Sequence, residues 1–250
     1  MEDRGIAGKI AMVTGGTSGI GEASARLMAR SGCKVMIVGR SVEKGQRIIA
    51  EIGQAGGEAA FCQADLACPA DATRIVDETV MRFGGLDIAF NNAGIREPHA
   101  LVGEQSVEQF DAVMNVNLRS IFISMQREIE VMLPKGGVIV NCASVSGVRN
   151  SNIGIGVYSA SKAALISLSK TAAMEYAAKG IRINIYSPGK ILTPLARSYP
   201  SGLEAIANEL PAKRLGTEEE AAEALVWMVS PRSSWMIGHN LCADGGFLAS

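Results

Sequence analysis

Histidine is scarce in this chain, and paired cysteine motifs are missing. The two histidines, His99 and His239, form no HxxxH pair. The five cysteines (Cys33, Cys62, Cys68, Cys142 and Cys242) are odd in number, widely spaced and free of any CxxC. These absences exclude the common zinc spacings and a disulfide framework. They point to a reduced, cytoplasmic compartment and to no catalytic metal. Long basic runs are lacking too, and the formal net charge is −1, so no nucleic acid or anionic membrane surface is expected as a partner. Apolar runs such as VIV before Asn141 are far too short to span a bilayer. The opening MEDRGIAGKI carries acidic groups and no apolar core, unlike a secretory signal.

What is present is alternation. Short β-rich runs end in glycine or polar residues and are each followed by a helical pattern. KIAMVT (9–14), KVMIVG (34–39), EAAFCQAD (58–65), LDIAFNN (86–92), VIVNCAS (138–144), IRINIYSP (181–188) and a short run at 240–243 read as strands. Helices are expected at about 20–30, 42–54, 69–82, 107–132, 157–179 and 218–229, with 190–212 irregular and rich in Pro/Gly punctuation. Such alternation implies an α/β fold: one Rossmann-like, doubly wound parallel sheet of about seven strands with helices on both faces. No linker divides residues 1–250, so a single domain is expected, with the segment at about 190–212 as its substrate loop.

TGGTSGIG (14–21) joins the first strand to the first helix. Glycines at Gly15, Gly19 and Gly21 permit a tight turn and a close approach of backbone N–H groups to a phosphate at the helix's positive end. Thr17, Ser18 and Ile20 belong to the same candidate phosphate site. The second strand ends in Gly39 and Arg40, where NAD-binding folds place a carboxylate for the ribose 2′-hydroxyl. A guanidinium there suits a 2′-phosphate, so NADP(H) is the expected cofactor, with NAD(H) possible; the alternative is a solvated arginine opening a loop. Asp65, with Leu66 after it, ends the third strand near the expected adenine. Asn92, Ala93 and Gly94 of NNAG end the fourth, beside the expected adenosine ribose. All these residues fall at carboxyl ends of parallel strands, where such sheets bind ligands.

Six ordered segments, TGGTSGIG, NNAG, NVNL, NCASVSG, YSASK and SPGKILTP, resemble the short-chain dehydrogenase/reductase family, and the likeness extends to ADGG near residue 245. The resemblance implies a catalytic set of Asn117, Ser144, Tyr158 and Lys162. Tyr158 would be the general acid in carbonyl reduction and the base in alcohol oxidation. A free phenol titrates near 10, and a neighbouring ammonium stabilises the phenolate. Lys162 would supply that charge and hold the nicotinamide ribose. Ser144 would donate to the substrate oxygen, and Asn117 would hold a water linking Lys162 to solvent. Pro188, Gly189, Ile191 and Thr193 would border the nicotinamide. The resemblance also implies a homotetramer, or a homodimer, built on the helix that carries Tyr158 and the one before it.

The expected partner is a small-molecule ketone or secondary alcohol, its pocket lined by Ile153, Ile155, Leu192, Leu195 and Tyr199. Arg96, Arg149, Lys190 and Arg197 are candidates for meeting an anionic group, or for facing water. Two other readings compete. One is reduction of 3-oxoacyl chains on acyl carrier protein, with Lys135 and Lys179 as docking cations. The other is a non-catalytic dinucleotide-binding regulatory subunit, which would be expected to lack part of the catalytic set.

Overall fold

The strand Ile10–Thr14 (β1) shows how the sequence builds layers. Its side chains alternate across the pleat: Ala11 and Val13 face one hydrophobic core and Met12 faces another. All three are fully buried, as expected of a central parallel strand covered on both sides. In the computed structural model, which describes residues 4–150, 153–198 and 202–250, the chain continues through α1 (Gly19–Arg30), β2 (Lys34–Gly39), α2 (Val42–Gln54), β3 (Glu58–Gln63), α3 (Pro69–Phe83) and β4 (Ile88–Asn91). Then follow α4 (Val107–Met114), α5 (Ser120–Met132), β5 (Gly137–Cys142), α6 (Gly156–Tyr176), β6 (Ile181–Tyr186), α7 (Gly202–Glu209), α8 (Glu218–Val229) and β7 (Asn240–Leu241).

The seven strands form one parallel sheet in the order β3-β2-β1-β4-β5-β6-β7. Apolar residues of α1, α2 and α8 fill one face, and those of α3, α5 and α6 fill the other. Strand order reverses between β1 and β4, which opens a crevice at their carboxyl ends. Among the described residues no helix is long and apolar enough to cross a membrane.

One expectation is refined and one needs correction. The helical region expected over 107–132 is present and contains a π-helical turn, Asn115–Arg119, between α4 and α5. Such turns insert a residue and re-aim side chains, often at functional sites. Here it carries Asn117. The segment 190–212 is not wholly irregular, since α7 lies within it and buries Ile206. Its glycine and proline neighbours hid an eight-residue helix from the sequence reading.

A polar network crosses the core behind α5. Asn91 Nδ2 donates to Glu128 Oε2 at 3.0 Å and to Asn141 Oδ1 at 2.9 Å, and Asn141 Nδ2 donates to Ser169 Oγ at 2.9 Å. Glu128 is fully buried, and its other oxygen has no hydrogen-bond partner among the described residues. Burial pushes its carboxyl up to about 8, with the Asn91 bond opposing the shift. A carboxyl raised in the folded state stabilises the fold at low pH and loses that contribution as pH rises toward the raised value. The wild type should therefore lose stability relative to Glu128→Gln between about pH 5 and pH 8, by up to about 1.4 kcal/mol per pH unit. Thermal midpoints of the two proteins across that range test this. A difference that does not change with pH would contradict it.

Candidate active site

The glycine turn after β1 is held open by its neighbours. Gly15 and Gly19 adopt φ of +64° and +59°, the left-handed region that favours glycine. Thr14 Oγ1 accepts from the Asn92 and Ala93 amides at 2.9 and 3.1 Å, and Asn92 Nδ2 donates to the Thr14 carbonyl at 3.1 Å. The Asn92 side chain therefore braces the turn, and Asn92 also lines the crevice. At the end of β2, a methyl on Gly39 would stand 2.7 Å from the Thr17 side chain, so the bare glycine admits the turn. The Ser18 side chain makes no capping bond to α1, and Thr17, Ser18, Gly19 and Ile20 all face the crevice.

The crevice is a cavity of about 450 Å³ at the carboxyl ends of the strands. Every predicted cofactor contact except Gly21 lines it, and so does Ser144. Gly21 serves packing instead: a methyl there would lie 2.3 Å from the Gly15 carbonyl oxygen. Arg40 is exposed at the rim and forms no ion pair among the described residues. The loop at Asp65 is fixed by Asp71, whose Oδ2 accepts from the Asp65 amide at 2.8 Å. A cradle of positive-φ glycines at a helix N-terminus fits the phosphates of a nicotinamide dinucleotide.

The deep end gathers residues from three elements. Lys162 on α6 is 3% exposed, and its Nζ donates to the Cys142 carbonyl at the end of β5 at 2.7 Å. The same Nζ lies 5.8 Å from the centre of the Tyr158 ring, one turn earlier on α6. Ser144 Oγ accepts from the Ser146 amide at 3.1 Å, which leaves its own hydroxyl hydrogen to donate. Asn117 lies behind the cavity wall rather than on it. Its Oδ1 accepts from the Ile95 amide at 2.8 Å, and its Nδ2 donates to the Ile95 carbonyl at 2.8 Å and to Ser161 Oγ at 3.1 Å.

A family profile described as "Enoyl-(Acyl carrier protein) reductase" matches residues 15–248. The chain is 38% identical to a 2,5-dichloro-2,5-cyclohexadiene-1,4-diol dehydrogenase of Sphingobium indicum, over 98% of each chain. It is 39% identical to a cyclohexanol dehydrogenase of an Acinetobacter species, over 96% of this chain and 94% of the other. A short-chain dehydrogenase of Burkholderia cenocepacia, solved in complex with NADP, superposes with a TM-score of 0.92 at 33% identity, over 98% of this chain and 99% of that one. The chain belongs to the short-chain dehydrogenase/reductase family. It is an oxidoreductase.

In this short-chain dehydrogenase/reductase, burial depresses the Lys162 ammonium below its ordinary range and raises the Cys142 thiol beside it. The lysine thus does not snorkel to water, as a surface helix lysine would. Of the apolar residues expected to line the substrate end, only Leu195 does so; Ile155 is fully buried, Ile153 is 82% exposed and Leu192 lies off the wall. Tyr199 lies outside the described residues. The lining comes instead from Ile95, Ala112, Val116 and Val145. Ala112 and Val116 fall in the expected helical region 107–132, and periodicity does not show that they face the crevice. Lys190 also lines the cavity, with its Nζ 5.8 Å from the Phe247 ring centre. Arg149 does not point into the cavity: it donates to the main-chain oxygens of Phe247 and Ser250. Glu97, on the loop after β4, belongs to no sequence motif. Its carboxylate accepts from the backbone amides of Val157 and Tyr158.

The packing role of Gly21 gives a direct test. Gly21→Ala should cost about 1–3 kcal/mol of stability through overpacking and should weaken dinucleotide binding about tenfold or more, because the turn must shift. Thermal unfolding and fluorescence titration with NADPH measure both. An unchanged midpoint together with unchanged affinity would contradict the assignment.

Proposed function

We propose that this enzyme interconverts a small or medium secondary alcohol, cyclic alcohols included, and its ketone, with NADP(H) as the preferred cofactor. The observation that carries the reading is the buried Lys162 ammonium beside the Tyr158 ring, in one cavity with Ser144. When bound, the nicotinamide cofactor supplies or accepts the hydride, so no metal is required. Ser144 donates its hydroxyl hydrogen to the substrate oxygen, as an oxyanion donor does. Tyr158 gives its proton to that oxygen in reduction and takes it back in oxidation. The neighbouring ammonium favours the phenolate and so eases both transfers. Asn117 completes the set by ordering the wall beside Lys162, and we assign it to the proton route from Lys162 to solvent. The apolar lining suits a substrate with a hydrocarbon body, and two relatives named for oxidising ring alcohols support the cyclic class.

Arg40 supports the NADP(H) preference: it stands at the rim where a 2′-phosphate would arrive, and no carboxylate among the described residues pairs with it. A carrier-protein thioester is less well supported. Lys135 and Lys179 precede β5 and β6, so they sit at the end of the sheet opposite the cavity. We also read the open side of α6, with Ala163, Ser167 and Met174 exposed, as a subunit interface of a homotetramer or homodimer. Light scattering at micromolar concentration should report an oligomer, and a monomer would overturn that part of the reading.

Tyr158→Phe should lose about 10²–10⁴ in turnover while still binding cofactor. A variant that turns over cyclohexanol and cyclohexanone like the wild type would defeat the mechanism. Arg40→Ala should remove a charge-assisted contact of about 1.5–3 kcal/mol, weakening NADPH roughly tenfold to hundredfold and leaving NADH nearly unchanged. Equal losses for the two cofactors, or none, would remove the proposed basis of the preference.

A further inference from the structure

Helix α6 begins without a cap of its own. Ile155 stands at the N-cap position and offers no side-chain bond, although the first amides of a helix need partners. Glu97 supplies them from 60 residues upstream. Its Oε1 accepts from the Val157 amide at 2.9 Å and the Tyr158 amide at 3.1 Å, and its Oε2 accepts from the Tyr158 amide at 3.1 Å. Glu97 is 3% exposed, and a carboxylate is taken from water at high cost unless such donors compensate it. The usual cap is a local serine, threonine, aspartate or asparagine. What the distant carboxylate adds is a tie between the first turn of α6 and the loop after β4.

That loop is itself fixed. Ile95, two residues before Glu97, has both backbone polar groups held by the Asn117 side chain. Asn117 also donates to Ser161 Oγ, and Ser161 Oγ donates to the Tyr158 carbonyl at 2.7 Å. The backbone of Tyr158 is thus gripped at its N–H by Glu97 and at its C=O by Ser161.

We propose that Glu97 is a positioning residue for Tyr158: its two-amide cap sets the first turn of α6 and so fixes where the phenol meets the substrate oxygen. This rests on Tyr158 being the proton donor and acceptor. Misplacing a reacting group by about 1 Å costs on the order of a hundredfold in rate.

The test compares Glu97→Ala, Glu97→Asp and Glu97→Gln by steady-state oxidation of cyclohexanol with NADP⁺, alongside thermal unfolding. Gln keeps the chain length and one acceptor able to serve both amides. Asp keeps the charge but is one methylene too short. Ala and Asp should each lower kcat about tenfold or more with the KM for NADP⁺ nearly unchanged, and Gln should restore kcat to within about threefold of the wild type. If Ala does not fold, the Asp and Gln pair carries the comparison. Folded Asp variant at wild-type kcat, or Gln no better than Asp, would overturn the proposal. In a Tyr158→Phe background, Glu97→Asp should leave the residual rate unchanged, because its effect passes through the phenol. An equal further loss would show that Glu97 acts elsewhere. A fully active Tyr158→Phe enzyme would sink the functional reading itself, whereas an inactive one combined with a fully active Glu97→Asp would sink the positioning role alone.

Discussion

The bond from Lys162 Nζ to the Cys142 carbonyl, 2.7 Å long and shut away from solvent, is the constraint on which the site depends. Burying an ammonium costs several kcal/mol unless its surroundings compensate. Here a strand-end carbonyl and the face of the Tyr158 ring provide part of that compensation. Two neighbours that lack side chains keep the packing around this lysine close. A methyl at Gly94 would stand 3.3 Å from the lysine Nζ, and one at Gly147 would stand 2.7 Å from the Lys162 backbone carbon. Helix α6 can therefore lie close enough to the sheet for its lysine to reach the end of β5.

Topology supplies the rest. The reversal of strand order between β1 and β4 brings the glycine turn, the NNAG loop and the end of β5 to one crevice, although they are far apart in sequence. Thr14, at the end of β1, links two of them by accepting from Asn92 and Ala93. The π-helical turn between α4 and α5 presents Asn117 to the Ile95 backbone and to Ser161 at once. The parts proposed to bind cofactor and those proposed to move a proton thus share one rigid frame.

The strands and most of the helices were legible because burial on both faces of a parallel sheet demands continuous apolar runs and amphipathic covers. That the glycine turn, Ser144 and the Tyr158–Lys162 pair would meet at one crevice was legible because short motifs carry them, and the place of Arg40 because it follows the end of a strand. What escaped was made by contacts across the chain. Gly21 reads as part of a phosphate cradle, yet it lies off the cavity wall and packs against the Gly15 carbonyl. Glu97 belongs to no motif, and no local pattern says that it caps a helix 60 residues on. The π-helical turn keeps a helical sequence pattern, so only the accommodation of Asn117 against its neighbours reveals it. Lining residues failed for a similar reason: apolar character does not say which of two buried directions a loop side chain takes.

The central claim is that the Lys162 charge makes the Tyr158 phenol a usable acid and base, and NMR titration of the protein carrying ¹³C at the tyrosine ring carbon that bears oxygen tests it most directly. The resonance is assigned by its loss in Tyr158→Phe and is followed in the wild type and in Lys162→Met. The account predicts a lower titration midpoint for Tyr158 in the wild type than in the methionine variant, since removing the ammonium withdraws support from the phenolate. Equal midpoints in the two proteins would contradict it.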